Sequence, residues 1–184
     1  EYNMGMLVNS LKLGCDCLGE IFYFDVHQVT WEGKVKSVEN AICMHEEDYG
    51  IQWKHYDSES QTSEVRRSRR LVISSIFTIG NYDYGFYWYL YLDGTIQMEI
   101  KLTGIVGVSA VTEATHNPAQ SPLIAEGLAS PVHQHVFCFR LDWELDGGPN
   151  AIYESQIEVL PISDTNPDGT QFQSVTTHLV DEAS

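Results

Sequence analysis

Residues 69–102 read RRLVISSIFTIGNYDYGFYWYLYLDGTIQMEIKL, and this stretch decides the fold class. Its runs Leu71–Thr78, Tyr84–Leu92 and Thr95–Leu102 are dense in β-branched and aromatic residues, the types that fit a pleated, half-buried surface. Asp93-Gly94 separates the last two, and an Asp-Gly pair between such runs predicts a β-hairpin with a type I′ turn. Outward from it, strand signals recur at Leu7–Leu13, Ile21–Phe24, Gln28–Val35, Ala41–His45, Ile51–His55, Val106–Val111, Val132–Trp143 and Ser155–Leu160. No stretch carries a 3.6-residue apolar period with caps. The chain is therefore read as all-β, and many strands at short spacing predict a β-sandwich. Residues 112–130 and Pro161–Thr170 read as loops, with a further strand expected over 171–180.

The 184 residues are 43% hydrophobic and 11% aromatic, which suits one globular domain or part of a larger one. Ten Lys and Arg against 26 Asp and Glu give a net charge of −16, which repels nucleic-acid phosphates and anionic membranes and attracts cationic ligands. No apolar run of membrane-spanning length occurs, so neither a nucleic-acid nor a membrane partner is expected. Localisation stays open, because no signal segment is visible. The one basic cluster, Arg66-Arg67 with Arg69-Arg70, reads as a solvated strand lead-in or as ion-pair partner to the surplus carboxylates.

Two features carry chemistry. His133 and His135 alternate with Gln134, so on a strand both imidazoles leave from one face and can hold one ion; copper, nickel, iron and zinc all suit them. Upstream, Thr78-Ile79-Gly80-Asn81-Tyr82-Asp83-Tyr84 places a phenol within a run of aromatics, where packing is the ordinary role of a Tyr. TIGNYDY matches, without departure, the T-x-x-N-Y-[DE]-Y motif of the copper amine oxidases, and the chain resembles that family. Further blocks follow in the same order: NSLKLGCDCLGE at 9–20, AICMHEEDYGI at 41–51, VRRSRRLVIS at 65–74, YDYGFYWYLYLDGTIQMEIKLTGI at 82–105 and PVHQHVFCFRLD at 131–142.

The resemblance implies a primary-amine oxidase that converts primary amines and dioxygen to aldehydes, ammonia and hydrogen peroxide. Copper would be held by His133 and His135, and topaquinone would derive from Tyr82, with Asn81 and Asp83 keeping the ring in place. It implies a Cys17–Cys43 disulfide between neighbouring strands, leaving Cys15 and Cys138 as buried thiols, and a homodimer for the full-length protein. Asp142, Trp143 and Glu144 fall where many members bind a second cation, calcium or manganese; a solvated acidic strand is the plainer reading. His45-Glu46-Glu47-Asp48 is expected to be structural. By the same alignment, residues 1–184 form part of the catalytic domain, with the catalytic-base Asp upstream and a third copper His downstream. The chain alone is thus expected to be inactive, the alternative being a non-catalytic relic. His178 and His116 are weaker candidates for the third ligand.

Overall fold

The computed structural model describes residues 4–112, 117–147 and 149–181. His116 lies outside the described residues. The chain divides into two compact units, one running to His133 and one from Gln134.

The first unit is built on a five-stranded antiparallel sheet in sequential order: β1 (Phe22–Val29), β2 (Val35–Asp57), β3 (Thr62–Ile79), β4 (Tyr82–Tyr91) and β5 (Ile96–Gly104). Short connections dictate this meander, since antiparallel neighbours need only a tight turn. The runs Ala41–His45 and Ile51–His55 fuse into the single long β2, whose register against β3 shifts between Asp48 and Trp53, with Gly50 at φ +87°. A bulge thus absorbs what reads in sequence as a break. The β4–β5 connection corrects the expected turn. Gly94 takes φ +86° while Asp93 does not, and Tyr91 N–H bonds Thr95 O at 3.0 Å across a three-residue loop. Type I′ needs positive φ at both central residues; a type I turn closed by a left-handed glycine needs it at one.

The expected strand over Leu7–Leu13 is instead a 3-10 turn, Met4–Leu7, and an extended segment. Its backbone still finds a ladder. β2 leaves β3 after the Cys43–Ser74 pair, and the vacated edge is taken by Val8, bridged to Phe77, and by Asn9 N–H on Ile76 O at 2.8 Å. The buried cluster of Leu11, Cys17 and Cys43, packed by Ile21, Tyr23 and Ile76, sits at this corner.

Within residues expected to be strand and then loop, a small sheet forms: β6 (Ser109–Ala110), β7 (Leu123–Ala125) and β8 (Leu128–Ala129), ordered β6-β8-β7. Ala129 is fully buried at its centre. The second unit holds the hairpin of β9 (Ile152–Val159) and β10 (Phe172–Leu179), paired without a register break. The loop between them is organised by Asn166, whose Nδ2 donates to Leu160 O at 3.1 Å and Pro161 O at 3.2 Å.

The largest departure is Val132–Trp143. These residues carry no strand, and Val136 is 89% exposed. β-rich composition alone does not make a strand; a ladder partner must satisfy the backbone. Its entrance is tied through Val132 N–H on Gln120 O at 2.8 Å, and Asn150 Nδ2 donates to Trp143 O at the end of the run. The face-sharing expected for His133 with His135, and for Asp142 with Glu144, therefore does not arise from strand alternation here. The sheets are antiparallel and nearly all described regular structure is β, so the all-β class holds.

Candidate cofactor and metal site

Tyr82 opens β4, and the motif around it is a hairpin. Thr78 pairs with Asp83 and Ile79 with Tyr82, leaving Gly80-Asn81 as the two-residue turn. Gly80 takes φ +61°, the first central position of a type II′ turn, which glycine fills without steric cost. The motif residues are thus brought together by local pairing. Asn9 Nδ2 donates to Thr78 Oγ1 at 2.8 Å, and the Thr78 hydroxyl donates to Asp83 Oδ1. Asp83, expected to position the ring, is itself held by this relay.

Close approach of backbone shapes the space around Tyr82. At Gly104, with φ +102°, a Cβ would stand 2.5 Å from Asn81 O, 2.7 Å from Asp83 N and 2.9 Å from Tyr82 Cα. Gly107 donates its N–H to the Tyr82 hydroxyl at 3.1 Å, and a Cβ there would lie 2.8 Å from that oxygen. Neither glycine is marked by a motif, and only the fold shows that β5 and the turn after it must pass this close. Ile105 N–H bonds Asn81 O at 2.7 Å and completes the clamp on the turn. Tyr84 is buried to 5% exposure beside Tyr82, their ring centroids 6.5 Å apart, and burial followed by the neighbouring phenol pushes its hydroxyl up from the ordinary value.

His133 comes to this ring. Its centroid lies 5.5 Å from that of Tyr82. The small sheet brings it there: Ser130 Oγ donates to Gly107 O at 3.1 Å, and Ser130 N–H to Pro122 O at 3.0 Å. His133 Nδ1 lies 2.7 Å from Pro131 O, a carbonyl that can only accept. A neutral ring bonded this way carries its lone pair on Nε2, the state in which imidazole ligates metals. His135 is exposed and belongs to the second unit. No group of three or more His, Cys, Asp or Glu able to hold a metal occurs among the described residues. One imidazole against the phenol, with its tautomer fixed by a carbonyl, nevertheless fits a copper ligand in its donor chemistry.

The other sequence candidates distribute as follows. His178, on β10, stacks on its cross-strand partner Tyr153 at 4.8 Å. Asp142, Trp143 and Glu144 are exposed. The acids after His45 meet the basic cluster across the β2–β3 ladder: Arg69 reaches Glu46 at 2.9 Å, Arg70 reaches Glu47 at 2.8 Å, and Arg67 pairs with Asp48. The ion-pair reading of the arginines is the one realised. Arg70 also lies over the rings of Tyr89 and Tyr49, 4.0 and 4.9 Å from their centroids. Cys17 and Cys43 are thiols, both buried, with Cys17 in a turn rather than on a strand. Cys15 and Cys138 are exposed, against the expectation of burial: one lies in an open turn, the other in the segment that forms no ladder.

Comparison with known proteins agrees with these features. The family described as copper amine oxidase, enzyme domain, matches residues 1–184. A primary amine oxidase of Arthrobacter sp. (strain P1) is 52% identical over 175 residues, covering 95% of this chain and 26% of the relative. A histamine oxidase of Arthrobacter globiformis is 49% identical over 183 residues, covering 100% of this chain and 26% of the relative. The chain thus spans about a quarter of the length of these curated relatives. Among solved structures, a copper-containing benzylamine oxidase from Hansenula polymorpha superposes with a TM-score of 0.81 at 29% identity, covering 96% of this chain and 28% of that one. A TIGNYDY hairpin with an imidazole against its tyrosine, on a fold shared with a solved benzylamine oxidase and in a sequence that the enzyme-domain family matches throughout, makes this chain a member of the copper amine oxidase family.

Proposed function

We propose that this chain is the part of a primary-amine oxidase that carries the cofactor tyrosine and two copper ligands. The whole enzyme would deaminate primary amines oxidatively to aldehydes, releasing ammonia and hydrogen peroxide. The observation that supports this best is the 5.5 Å approach of the His133 ring to Tyr82, with His133 Nδ1 engaged by Pro131 O. His133 and His135 would hold copper, and Tyr82 would be the precursor of topaquinone. When bound, these groups supply the redox chemistry, oxidising the amine and passing its electrons to dioxygen.

The protein's own residues have definable tasks. Gly107 N–H donates to the Tyr82 oxygen, a hydrogen bond that favours developing negative charge there. The Thr78–Asp83 bond and the Gly80-Asn81 turn fix the backbone on either side of Tyr82, so the direction in which its side chain leaves the sheet is set before any reaction. Gly104 keeps the space beneath Tyr82 Cα free of side chain. A positioned carboxylate to take the substrate α-proton and a third histidine for the metal would come from outside residues 1–184, so the chain alone should be inactive toward amines. Bridging of Cys17 to Cys43, homodimer formation and a second cation near Asp142–Glu144 belong to the same reading of the full-length enzyme. The test is copper loading of aerated full-length enzyme followed by quinone staining and visible absorbance. Quinone colour that persists in Tyr82→Phe would remove Tyr82 from its role.

A further inference from the structure

Away from Tyr82, the densest grouping of nucleophilic and titratable side chains lies at the corner where the Leu13–Cys17 turn covers β2. Cys43, His45 and Glu47 alternate along β2, so their side chains share one face. Cys43 Sγ lies 3.5 Å from His45 Nδ1, and His45 Nε2 lies 3.1 Å from Glu47 Oε1. Glu47 Oε2 accepts from Arg70 Nε at 2.9 Å and Nη2 at 2.8 Å. This chain of contacts sets the proton positions. Paired with Arg70, Glu47 is ionised and can only accept, so His45 Nε2 must donate to it. A neutral His45 then turns its lone pair, on Nδ1, toward the Cys43 thiol. Thiol, imidazole and carboxylate thus stand in the order of a nucleophile served by an oriented base. A cavity of about 270 Å³ opens beside them, lined by Cys15, Asp16, Cys17, Cys43, His45 and Ser74 among others.

We propose that Cys17 and Cys43 form a peroxide-responsive thiol–disulfide pair in which His45, oriented by Glu47, is the base that takes the Cys43 proton. The proposal rests on the reading of these two cysteines as a bridging pair and adds how the bridge is made. The Cys43 proton passes to His45 Nδ1, and the thiolate attacks hydrogen peroxide that has entered the cavity. An S–O bond forms, the O–O bond breaks, and the departing hydroxide leaves as water with the proton returned from His45. Cys17 sulfur then attacks Cys43 sulfur; the S–S bond forms, the S–O bond breaks, and a second water departs. Two thiols are oxidised by two electrons in all, and one peroxide is reduced to two waters. A base is needed because burial, followed by the hydrogen bond with Cys17, pushes the Cys43 thiol up to about 12.

The charged and titratable groups around His45 are Cys43 and Glu47 on its own strand, with Arg70 of β3 behind Glu47. Cys15, Asp16 and Cys17 face it from the turn and Tyr87 from β4, while Glu20, Glu46 and Arg69 line the groove on its other side. The buried Cys43 thiol has to lose its proton before it reacts, so bridging slows on acidification.

The test uses the reduced, copper-free chain with added hydrogen peroxide, so it reads the thiols independently of amine oxidation. Loss of free thiols is followed against pH and the bridge is located by peptide mass mapping. In wild type two of the four thiols should disappear, the bridge should map to Cys17–Cys43, and the rate should fall on acidification. His45→Gln should slow bridging about 10–100-fold without changing its endpoint. Added imidazole should restore speed to His45→Ala, whose truncation enlarges the cavity. Glu47→Gln, which keeps a hydrogen-bonding partner but not the charge, should slow it only a few-fold. Equal rates in wild type and folded His45→Gln would overturn the base while sparing the bridge. If His45→Gln fails to fold, an unaltered rate in Glu47→Gln together with a wild-type rate that does not fall in acid overturns it instead. Persistence of four free thiols, or a bridge to Cys15, would overturn the bridge and the proposal together.

Discussion

The hairpin β3–β4 and the segment 131–144 both hold residues that the proposed chemistry requires, yet one is a fully paired ladder and the other has no strand at all. Both are rich in β-branched and aromatic residues. The difference lies in neighbours. Tyr82 stands between β3 and β5, with Gly104 and Gly107 pressed against it, and every local choice around it agrees with the sheet. The segment from His133 to Glu144 is tied at its entrance by Gln120, and by Pro122 through Ser130, but carries no strand. Propensity marks where a strand can form, and a partner edge decides whether it does.

The largest expected effect probes what the two regions do together. In copper-loaded full-length enzyme, Tyr82→Phe should abolish quinone absorbance and amine-dependent peroxide release, while His133→Ala or His135→Ala should block quinone formation by removing copper. Retention of quinone in either histidine variant would detach the 131–144 segment from the cofactor tyrosine.

Gly104→Ala probes the tight side of the contrast. A Cβ at φ +102° meets three backbone atoms within 2.9 Å, so the substitution should cost on the order of 3 kcal/mol in stability. Gly33→Ala, also at positive φ but with nothing within 4 Å, should cost about 1 kcal/mol. Equal costs by denaturant titration would show that close approach does not shape the hairpin.

Thr78→Val leaves Asp83 and Asn9 without their shared hydroxyl and should destabilise by about 1–2 kcal/mol. Part of this should reappear as slower quinone formation in the full-length enzyme, since Asp83 flanks Tyr82.

The acid ladder is expected to matter less and to be sensitive to pH. Burial alone would raise the Glu47 carboxyl, but hydrogen bonds from Arg70 and His45 outweigh it and hold Glu47 below the ordinary range; Arg69 does the same for Glu46, and Arg67 for Asp48. A depressed carboxyl contributes stability above its unfolded value, and that contribution is lost as pH falls through its folded one. Thermal unfolding of Arg70→Ala should accordingly lose the wild type's acid sensitivity in this window. Its cost near neutral pH should stay at about 1 kcal/mol, because the pair is partly screened.

The smallest effect belongs to the open segment. Val136→Ser in the 184-residue chain should change stability by less than about 0.5 kcal/mol, as Val136 is 89% exposed. A cost of several kcal/mol would mean that the segment packs, and the contrast between the two regions would fall.

Much of this was legible beforehand for a local reason. The TIGNYDY motif is written in consecutive residues, so it singles out Tyr82, whereas its turn at Gly80-Asn81 shows only in the β3–β4 pairing. The pairing of VRRSRR with HEED was foreseeable only as one of two options, because exposed and ion-paired arginines share a composition. The fusion of two predicted strands into β2 was not foreseeable, since a bulge at Asp48–Gly50 looks like a break along a single chain.

The sequence by itself determined the all-β class and the hairpin at Asp93-Gly94 and singled out Tyr82 as the candidate tyrosine, because these follow from side-chain type, short-range spacing and a contiguous motif. Tertiary structure alone decided that Gly104 and Gly107 must be glycine, that Asn9 reaches Thr78, that His133 comes to Tyr82, that His178 stacks on Tyr153, and that His45 faces Cys43. Those facts depend on which backbones pass within van der Waals contact and on which face of a strand meets which turn. Such distances between residues remote in the chain are fixed only once the sheet has closed its ladders.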